Sequence, residues 1–300
     1  MSLHRPLGTL SDGENAVELT AGTAGWDYAG LRVLLLHPGG VTTFGTGDCE
    51  AFVLPLSGGC VVEVDGERFE LRGRDSVFTR VTDFAYLPRD AEVTLSTKDG
   101  VEVALPTARC DRRLTPRYGP AEDVPVEVRG AGTATRQVTN FGVPGVWDHA
   151  DRLIACELIT PDGNWSSYPP HKHDHTCDVV NEEIYYFRIA GRDKITPSRE
   201  GFGFHRTYTD HTHGDDEADD EHVVVRDGDV FLIPRGYHGP CVAAPGYPMY
   251  YLNVLAGPGT GDRRSTAFCD DPAHGWVRDT WADQARDPRC PVTSAEGRVG

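Results

Sequence analysis

The sequence predicts an all-β chain that contains two copies of one sandwich or barrel domain. The 300 residues include 34 Gly and 21 Pro, a turn-rich composition that disfavours long helices. Short runs of β-branched and aromatic residues alternate with these turns, as in proteins with many short strands. The same order of segments also occurs twice along the chain, which indicates an internal duplication.

Two hairpins are predicted in the first half. Residues 60–71 alternate between apolar and polar side chains and are interrupted at Asp65-Gly66, a dipeptide typical of two-residue hairpin turns. Residues 92–95 and 101–105 flank Asp99-Gly100 and predict a second hairpin by the same argument.

Further strands are predicted in the second half, and the best helix candidate lies near its end, at residues 276–285. The predicted strands are residues 184–187, 223–225, 230–233 and 249–252.

The two copies share the order of their segments and a spacing of eight residues between a Glu and a Gly. The segments are residues 50–58, 71–78 and 87–89 in the first copy, and 183–191, 225–231 and 233–235 in the second. We therefore predict an N-terminal domain over residues 1–125 and a C-terminal domain over residues 126–300, joined by an irregular Gly- and Pro-containing stretch.

Composition excludes several classes of partner. The net charge of −17 argues against binding to nucleic acid and to anionic membrane surfaces. No apolar run is long enough to span a bilayer, and the N-terminus lacks the apolar region of an export signal. We therefore expect a cytoplasmic protein whose eight cysteines, none in a CxxC pair, are reduced thiols.

One group of residues has the composition of a metal site. His171 and His173 would share one face of a strand, Glu183 opens an aromatic strand ten residues later, and His238 ends a Gly-containing turn. Three imidazoles and a carboxylate suit Zn²⁺, Fe²⁺, Mn²⁺ or Ni²⁺ and leave coordination positions open. Ordinary polar positions on a barrel rim are the alternative interpretation of these residues.

A second cluster competes with this one. His211 and His213 precede a run of acidic residues at 215–221. The run has no strand pattern, so we interpret it as a solvated acidic loop that could take up cations non-specifically.

The first copy lacks these ligands. It has Glu50 in the place of Glu183, Glu92 in the place of His238, and only His37 upstream. We expect a single metal site, in the second half, and a first half that serves as scaffold, pocket wall or subunit interface.

The histidine pair, the following Glu and the third His on a Gly-containing turn resemble the two motifs of the cupin β-barrel. The second half is similar to one family in particular, the 5-deoxy-glucuronate isomerases of inositol catabolism, clearly over about residues 145–280, and the first half resembles it more loosely. A related family, the 5-keto-4-deoxyuronate isomerases of pectin breakdown, has the same barrel and metal set. The segments that carry the resemblance are WSSYPPHKHD (165–174), EEIYY (182–186), GFHRTY (203–208), PRGYH (234–238), YYLNVLAGP (250–258) and DPAHGW (271–276).

The resemblance implies a bicupin fold, with two jelly-roll-like β-barrels and few short helices. It implies an aldose–ketose isomerase that converts the sugar acid 5-deoxy-glucuronate to 2-deoxy-5-keto-gluconate. The implied cofactor is one divalent metal per chain, with Zn²⁺ preferred because no redox change is needed, held by His171, His173, Glu183 and His238. A homo-oligomer is expected from the fold alone.

Aldose–ketose isomerisation moves a hydrogen between two carbons, so a general base must lie within reach of it unless a hydride shifts directly. Tyr185, Tyr251 and Asp174 are the candidate bases, and the sequence leaves the choice among them open.

The carboxylate of such a substrate requires a cation, preferably an arginine. Arg235, Arg206 and Lys172 are the candidates, although strand alternation directs Lys172 away from the predicted metal face. Glu182, which neighbours the predicted ligand, is interpreted as a supporting acid on the opposite face of its strand.

Two other classes of function remain open. An Fe²⁺-dependent cupin dioxygenase would use the same ligands and consume O₂, and a non-catalytic sugar-binding cupin would bind a uronate without turnover. Within the isomerases, the pectin-pathway uronate is the alternative substrate.

Overall fold

The structure is a computed structural model that describes residues 2–209 and 219–299. The strands of the first half are β1 His4–Arg5, β2 Val17–Leu19, β3 Ala29–Leu36, β4 Val41–Gly45, β5 Cys49–Val64, β6 Glu67–Arg74, β7 Phe84–Leu87, β8 Glu92–Ser96, β9 Val101–Arg109 and β10 Arg117–Gly119. Helix α1 is a single turn, Ala21–Ala24, and the 3₁₀ segments are Ala121–Asp123, Gly261–Arg263 and Gly275–Asp283.

The described residues of the second half form twelve strands. They are β11 Val126–Arg129, β12 Arg136–Gly142, β13 Ile154–Thr160, β14 Trp165–Ser166, β15 His171–Lys172, β16 Glu182–Ile189, β17 Gly203–Thr209, β18 Asp219–Val225, β19 Val230–Ile233, β20 Tyr237–Ala243, β21 Met249–Ala256 and β22 Cys269–Asp270. The prediction of an all-β chain with few short helices is confirmed. Within the described residues, no helix is long and apolar enough to cross a membrane.

Curled antiparallel sheets form the two halves. A nine-stranded sheet follows the order β10-β7-β5-β9-β3-β2, with β4, β6 and β8 attached to it. In the second half, a seven-stranded sheet, β1-β19-β16-β21-β13-β12-β11, faces a six-stranded sheet, β18-β17-β20-β15-β22 with β14. The short N-terminal strand β1 therefore pairs with a strand of the second half. The predicted domain division at residues 125 and 126 stays a prediction.

The predicted strands of the second half are present, in β16, β18, β19 and β21. The first predicted hairpin is also confirmed, because β5 and β6 pair on either side of Asp65 and Gly66. Both turn residues have positive φ angles, 51° and 81°, as a two-residue hairpin turn requires.

The second predicted hairpin is wrong. Strand β8 pairs with β4 and with the far end of β5, whereas β9 pairs with β3 and with the near part of β5. The 16-residue strand β5 changes register at Gly58, so its two parts pair with different partners. The chain at Asp99-Gly100 therefore crosses between the two sides of the barrel.

Residues 276–285 do not form an α-helix, and the structure has the 3₁₀ segment Gly275–Asp283 there. The stretch between the halves, which showed no periodic pattern, contains β10, β11 and the start of β12. Two of the eight cysteines, Cys177 and Cys269, form a disulfide, which corrects the expectation that all are thiols. The pairing of β15 with β22 brings Cys269 opposite Lys172, beside the loop that carries Cys177.

The described residues form three hydrophobic cores. One fills the interior of the first barrel, between strands such as β5, β7, β8 and β9, and another fills the interior of the second barrel. The third and largest core lies between the halves, where Phe52 packs edge-on against Phe84, Phe141 and Trp147. Strands β5 and β16 contribute alternate residues to the interior of their own barrel and to this shared core.

Two glutamates join the halves by the same reciprocal arrangement. The Glu50 carboxylate, which is fully buried, accepts the backbone N–H groups of residues 151–153 at 2.6–2.8 Å and the hydroxyl of Tyr86 at 2.8 Å. The Glu182 carboxylate accepts the N–H groups of residues 27–29 at 2.6–2.8 Å. Each carboxylate thus holds the entry to a strand of the other half, β13 for Glu50 and β3 for Glu182.

We predict that Glu50→Gln lowers the free energy of unfolding by about 2–4 kcal/mol, because an amide cannot accept all of these hydrogen bonds and its NH₂ group faces other donors. Urea denaturation measures the change. The control is Glu63→Gln, since Glu63 is exposed and faces Arg68 at 3.8 Å, and it should change stability by less than about 0.5 kcal/mol. Equal effects of the two substitutions would contradict this account of Glu50.

Candidate metal centre

Three of the four predicted metal ligands converge on one point inside the second barrel. Glu183 extends inward from the start of β16, and His238 extends inward from β20. His173 follows β15 and completes the group. Their ligand atoms lie within 4.8 Å of one another, and this is the single group of its kind found among the described residues.

One carboxylate oxygen is the centre of the group. Glu183 Oε2 lies 2.9 Å from His173 Nε2 and 3.0 Å from His238 Nε2. All three side chains are buried, at 6% exposure or less. The Nδ1 of His173 is 2.8 Å from the carbonyl oxygen of Asn181 and donates a hydrogen bond to it. This leaves Nε2 facing inward as the atom that could ligate a metal.

His171 lies beside this group rather than within it. Its strand pairing puts it opposite His238, and the two ring centroids are 4.4 Å apart. Its Nδ1 lies 3.1 Å from the carbonyl oxygen of Pro169, so a hydrogen bond there leaves Nε2 available. The membership of His171 in the ligand set stays a prediction.

The residues present fit a metal ion. Within residues 2–209 and 219–299, Nδ1 of the fully buried His238 has no hydrogen-bond partner, and Nε2, although 3.0 Å from Glu183 Oε2, does not have the geometry of a hydrogen bond to it. Buried polar atoms are rarely left in this state, because losing water without replacement costs free energy. Neutral imidazoles and a carboxylate are also the ligand types that divalent transition metals prefer.

The electrostatics of the group favour an ionised carboxylate. Burial alone would raise the pKa of Glu183, but the charge of His238, together with the hydrogen bond and charge of His173, lowers it well below its usual range. Burial would lower the pKa of His173, and the hydrogen bond and charge of Glu183 outweigh this and raise it. At His171, burial and the charge of His238 outweigh the hydrogen bond to Pro169 and the charge of Glu183, and they lower its pKa well below the usual value.

The two candidate tyrosines lie on the inner wall next to the group. Tyr185 follows Glu183 on the same face of β16, and its hydroxyl is 3.1 Å from Ser167 Oγ. Tyr251 packs against Tyr185, with ring centroids 4.8 Å apart, and its hydroxyl lies beside Ser166 and Cys241 without the geometry of a hydrogen bond to any residue the structure describes. Burial raises the pKa of both phenols well above the usual value, so both are protonated near neutral pH.

Asp174 and Lys172 lie on the other side of the histidine segment. Asp174 accepts hydrogen bonds from the backbone and hydroxyl of Thr176 and from the N–H of Gly236. Lys172 Nζ is 4.0 Å from Asp174 Oδ2 and lies over the ring of Tyr237. Neither is brought into the group around Glu183, and these contacts favour a structural role for both.

The candidate arginines are also directed elsewhere. Arg206 alternates with the inward-facing His205 on β17, so it lies on the outer face, where it forms a bidentate ion pair with Asp220. Arg235 is exposed in the turn before β20. These placements do not support the predicted role of either residue in binding a substrate carboxylate.

His205 is an interior residue that the sequence argument did not single out. It is buried, its ring contacts those of Phe231 and Tyr185, and it bonds to Thr207 Oγ1 at 2.9 Å and to Cys241 Sγ at 3.1 Å. Burial lowers its pKa to about 3, so it is a neutral imidazole. Strand alternation within residues 203–208 was the signal that could have identified it.

The correspondence between the halves differs by one residue from the prediction. Ile233 pairs with Glu183, and the equivalent Leu87 pairs with Ala51, so Ala51 and not Glu50 occupies the position of Glu183. Glu92 is exposed at the start of β8 and does not take the place of His238. A cavity of about 360 Å³, lined in part by Ala51, occupies this part of the first barrel.

Most of the competing cluster of histidines and acidic residues, at positions 211–221, is not described by the structure. His211, His213 and the acidic residues up to 218 lie outside the described residues. Asp219 to Glu221 are described, and they begin β18 at the edge of the six-stranded sheet.

Comparison with known proteins agrees with the fold. The model of the KduI/IolB family matches residues 3–277. The 5-deoxy-glucuronate isomerase of Geobacillus kaustophilus is 40% identical over 271 residues, which cover 89% of this chain and 91% of that protein. The 5-deoxy-glucuronate isomerase of Bacillus subtilis strain 168 is 35% identical over 274 residues, with 89% and 94% covered.

Solved structures extend the comparison. An IolB-like protein from Salmonella typhimurium LT2 superposes with a TM-score of 0.80 at 30% identity, over 92% of this chain and 99% of that one. Oxalate decarboxylase from Lactobacillus farciminis has a TM-score of 0.60 at 12% identity, over 87% of this chain and 88% of that one, a likeness of fold alone. The bicupin architecture implied by the resemblance is thereby confirmed.

We predict that His238→Ala abolishes stoichiometric metal binding, because it removes one of the three converging ligands. The measurement is metal per chain by elemental analysis after dialysis against zinc, together with the melting temperature. The control is His205→Asn, which changes a buried histidine of the same barrel that bonds to protein atoms instead, and it should retain the metal. If His238→Ala binds zinc as the unsubstituted protein does, this group is not the metal site.

Proposed function

Because the chain belongs to the KduI/IolB family, we propose that it is an isomerase that converts 5-deoxy-glucuronate to 2-deoxy-5-keto-gluconate. The observation that supports this most directly is the identity of 31–40% with proteins named 5-deoxy-glucuronate isomerase, over most of the chain. The buried His and Glu group inside the second barrel is the place where we locate the reaction.

The reaction is an internal redox exchange between neighbouring carbons. The aldehyde carbon gains the hydrogen that its neighbour loses, the neighbouring hydroxyl loses its proton, and the aldehyde oxygen gains one. The substrate therefore becomes a ketone without an external oxidant or reductant. A protein that catalyses this exchange must bind both oxygens, stabilise the negative charge that develops on them and exclude water.

We propose one divalent metal ion per chain, held by His173, Glu183 and His238 with His171 as the fourth ligand, and Zn²⁺ as its identity. The ion supplies positive charge that stabilises the negative charge developing on the substrate oxygens. A metal without redox chemistry suffices, because the overall reaction consumes no electrons.

Of the three candidate catalytic residues, Tyr251 has the surroundings that best suit contact with the substrate. Asp174 is held by Thr176 and Gly236, and the hydroxyl of Tyr185 bonds to Ser167. The hydroxyl of Tyr251 is buried and makes no such bond among the described residues. Its raised pKa makes it a hydrogen-bond donor near neutral pH, so we assign it to a substrate oxygen rather than to the removal of a hydrogen from carbon.

We further propose that the protein acts in the cytoplasm, in myo-inositol catabolism, as a homo-oligomer. The names of the relatives support the substrate, and the resemblance of the second half to isomerases of inositol catabolism supports the pathway.

We predict that the purified protein isomerises 5-deoxy-glucuronate, that a chelator abolishes this activity, and that Zn²⁺ restores it. The assay compares the as-purified, stripped and restored protein, and it includes the pectin-pathway uronate as a second substrate. His171→Ala serves as the ligand variant and should be at least about 100-fold less active, since a lost ligand alters both the charge and the geometry of the site.

Three results would redirect the proposal. Turnover of only the pectin-pathway uronate would replace the substrate, and O₂ consumption with Fe²⁺ would replace the reaction. Uronate binding without any turnover would indicate a sugar-binding protein.

We predict that Tyr251→Phe lowers kcat/KM by about 10- to 100-fold, because it removes one hydrogen bond to the reacting substrate. The free energy of unfolding should stay within about 0.5 kcal/mol or rise, because the deleted hydroxyl has no partner among the described residues. Steady-state kinetics and urea denaturation measure the two effects. A large loss of stability with unchanged kinetics would assign Tyr251 to the core alone.

A further inference from the structure

Buried polar atoms without partners concentrate on the inner wall of the second barrel. Within the part of the chain that is described, the side-chain atoms in this state are Arg136 Nε, Asp151 Oδ1, Lys172 Nζ, His238 Nδ1 and Nε2, Tyr251 OH and Asn253 Oδ1. Four of these six residues line one interior. His238 and Tyr251 lie beside the candidate metal ligands, and Asn253 follows Tyr251 on the same face of β21.

Arg136 belongs to the same interior by strand alternation. It lies two residues before Val138 on β12, and Val138 is part of the core of the second barrel. Because native proteins satisfy almost all buried polar atoms, a cluster of exceptions in one place indicates a site shaped for a polar ligand.

We propose that Arg136 binds the carboxylate of the uronate substrate. The proposal rests on the proposed function, because it takes from it that the ligand is a sugar acid. It replaces Arg235, Arg206 and Lys172, whose placements in the structure do not support that role.

The surroundings of Arg136 leave its charge without a counterion. Its Nη1 donates to the carbonyl oxygen of Ala134 at 3.1 Å and its Nη2 to that of Tyr168 at 3.4 Å. The guanidinium lies over the ring of Trp281, 5.5 Å from the centroid. No carboxylate of the described chain forms an ion pair with it, although the residue is only 4% exposed.

The neighbouring arginines differ in this respect. Arg129 pairs with Glu127 and Arg278 pairs with Asp270, in both cases at 2.7 Å or less. Burial, reinforced by the positive charges of Arg129 and Arg278, lowers the pKa of Arg136 to about 10. A buried, unpaired cation is costly, and an anion bound beside it would remove that cost.

Arg136 is also connected to the metal ligands. Its guanidinium holds the carbonyl of Tyr168, and His171 holds the next carbonyl, that of Pro169. A wall of rings and cations follows the same route: Phe268 contacts His171, Arg278 lies over both Phe268 and Trp281, and Trp281 lies under Arg136.

The chemistry of a uronate matches this arrangement. The carbonyl and the carboxylate are at opposite ends of its carbon chain, so one end belongs at the metal ligands and the other at a cation further along the wall. The guanidinium has more N–H groups than its two carbonyl contacts use, and it can offer Nε–H together with another N–H to the two oxygens of a carboxylate.

The test compares a charged and a neutral substrate. Arg136→Met should lower kcat/KM for 5-deoxy-glucuronate by about 10- to 100-fold, because a charge-assisted hydrogen bond is lost, and should change kcat/KM for its primary amide by less than about 3-fold. Arg136→Lys keeps the charge without the paired donors and should fall between the two. Metal content and melting temperature show whether each variant is folded and loaded.

The matched control is Arg226→Met. Arg226 also donates to backbone carbonyls, those of Arg199 and Gly201, and also lies over a ring, that of Phe202. Its substitution should lower kcat/KM for neither substrate. Equal losses on the acid and the amide in Arg136→Met would show that Arg136 only supports the structure, and would overturn the proposal. If that variant does not fold, Arg136→Lys decides by the same comparison.

A binding measurement separates this proposal from the proposed function. Calorimetric titration of the zinc-loaded protein with D-glucuronate and with D-glucose requires no turnover, and we expect a preference for glucuronate that Arg136→Met removes. If the unsubstituted protein has this preference but isomerises nothing, the proposed function fails and the assignment of Arg136 stands. If it is an isomerase whose preference for the acid survives in Arg136→Met, the assignment fails alone.

Discussion

Strand β16 has both faces buried, and the rest of the structure depends on how its first two residues divide between them. Glu182 faces the first half of the chain and holds three of its backbone N–H groups, whereas Glu183 faces the barrel interior and two imidazoles. Because adjacent strand residues point in opposite directions, the contact between the halves and the candidate metal centre are fixed by one short piece of backbone. A slip of one residue would disrupt both.

This alternation also explains which parts of the site the sequence could predict. The metal-binding chemistry of His173, Glu183 and His238 could be inferred from their residue types and their spacing. The structure brings the three side chains together. Spacing could not tell Glu50 from its neighbour, since the two halves differ by one residue between the aligned segments. Only the pairing of Leu87 with Ala51 shows which residue faces inward.

Other features depend on contacts between distant residues, which local pattern does not encode. The prediction of the second hairpin was wrong because β5 bends and pairs with both β8 and β9. The chain does change direction at Asp99-Gly100, but the two strands on either side of it do not pair with each other. Cys177 and Cys269 are 92 residues apart and approach only through the pairing of β15 with β22. Arg136 lies in a stretch without periodicity, where no sequence signal marked a strand.

The two barrels differ in whether their buried polar atoms are hydrogen-bonded, and this difference indicates that the functional site lies in the second barrel. The first barrel has an apolar interior with Ala51 where the second has Glu183, and its buried Glu50 is fully bonded to the other half. The second barrel retains unbonded polar atoms on His238, Tyr251, Asn253 and Arg136, each at a cost of about 1–3 kcal/mol. The large core between the halves offsets such costs by burying many aromatic and aliphatic side chains. The first half therefore stabilises a polar interior that the second half could not easily maintain alone, and a metal ion and a sugar acid would satisfy the atoms left unbonded.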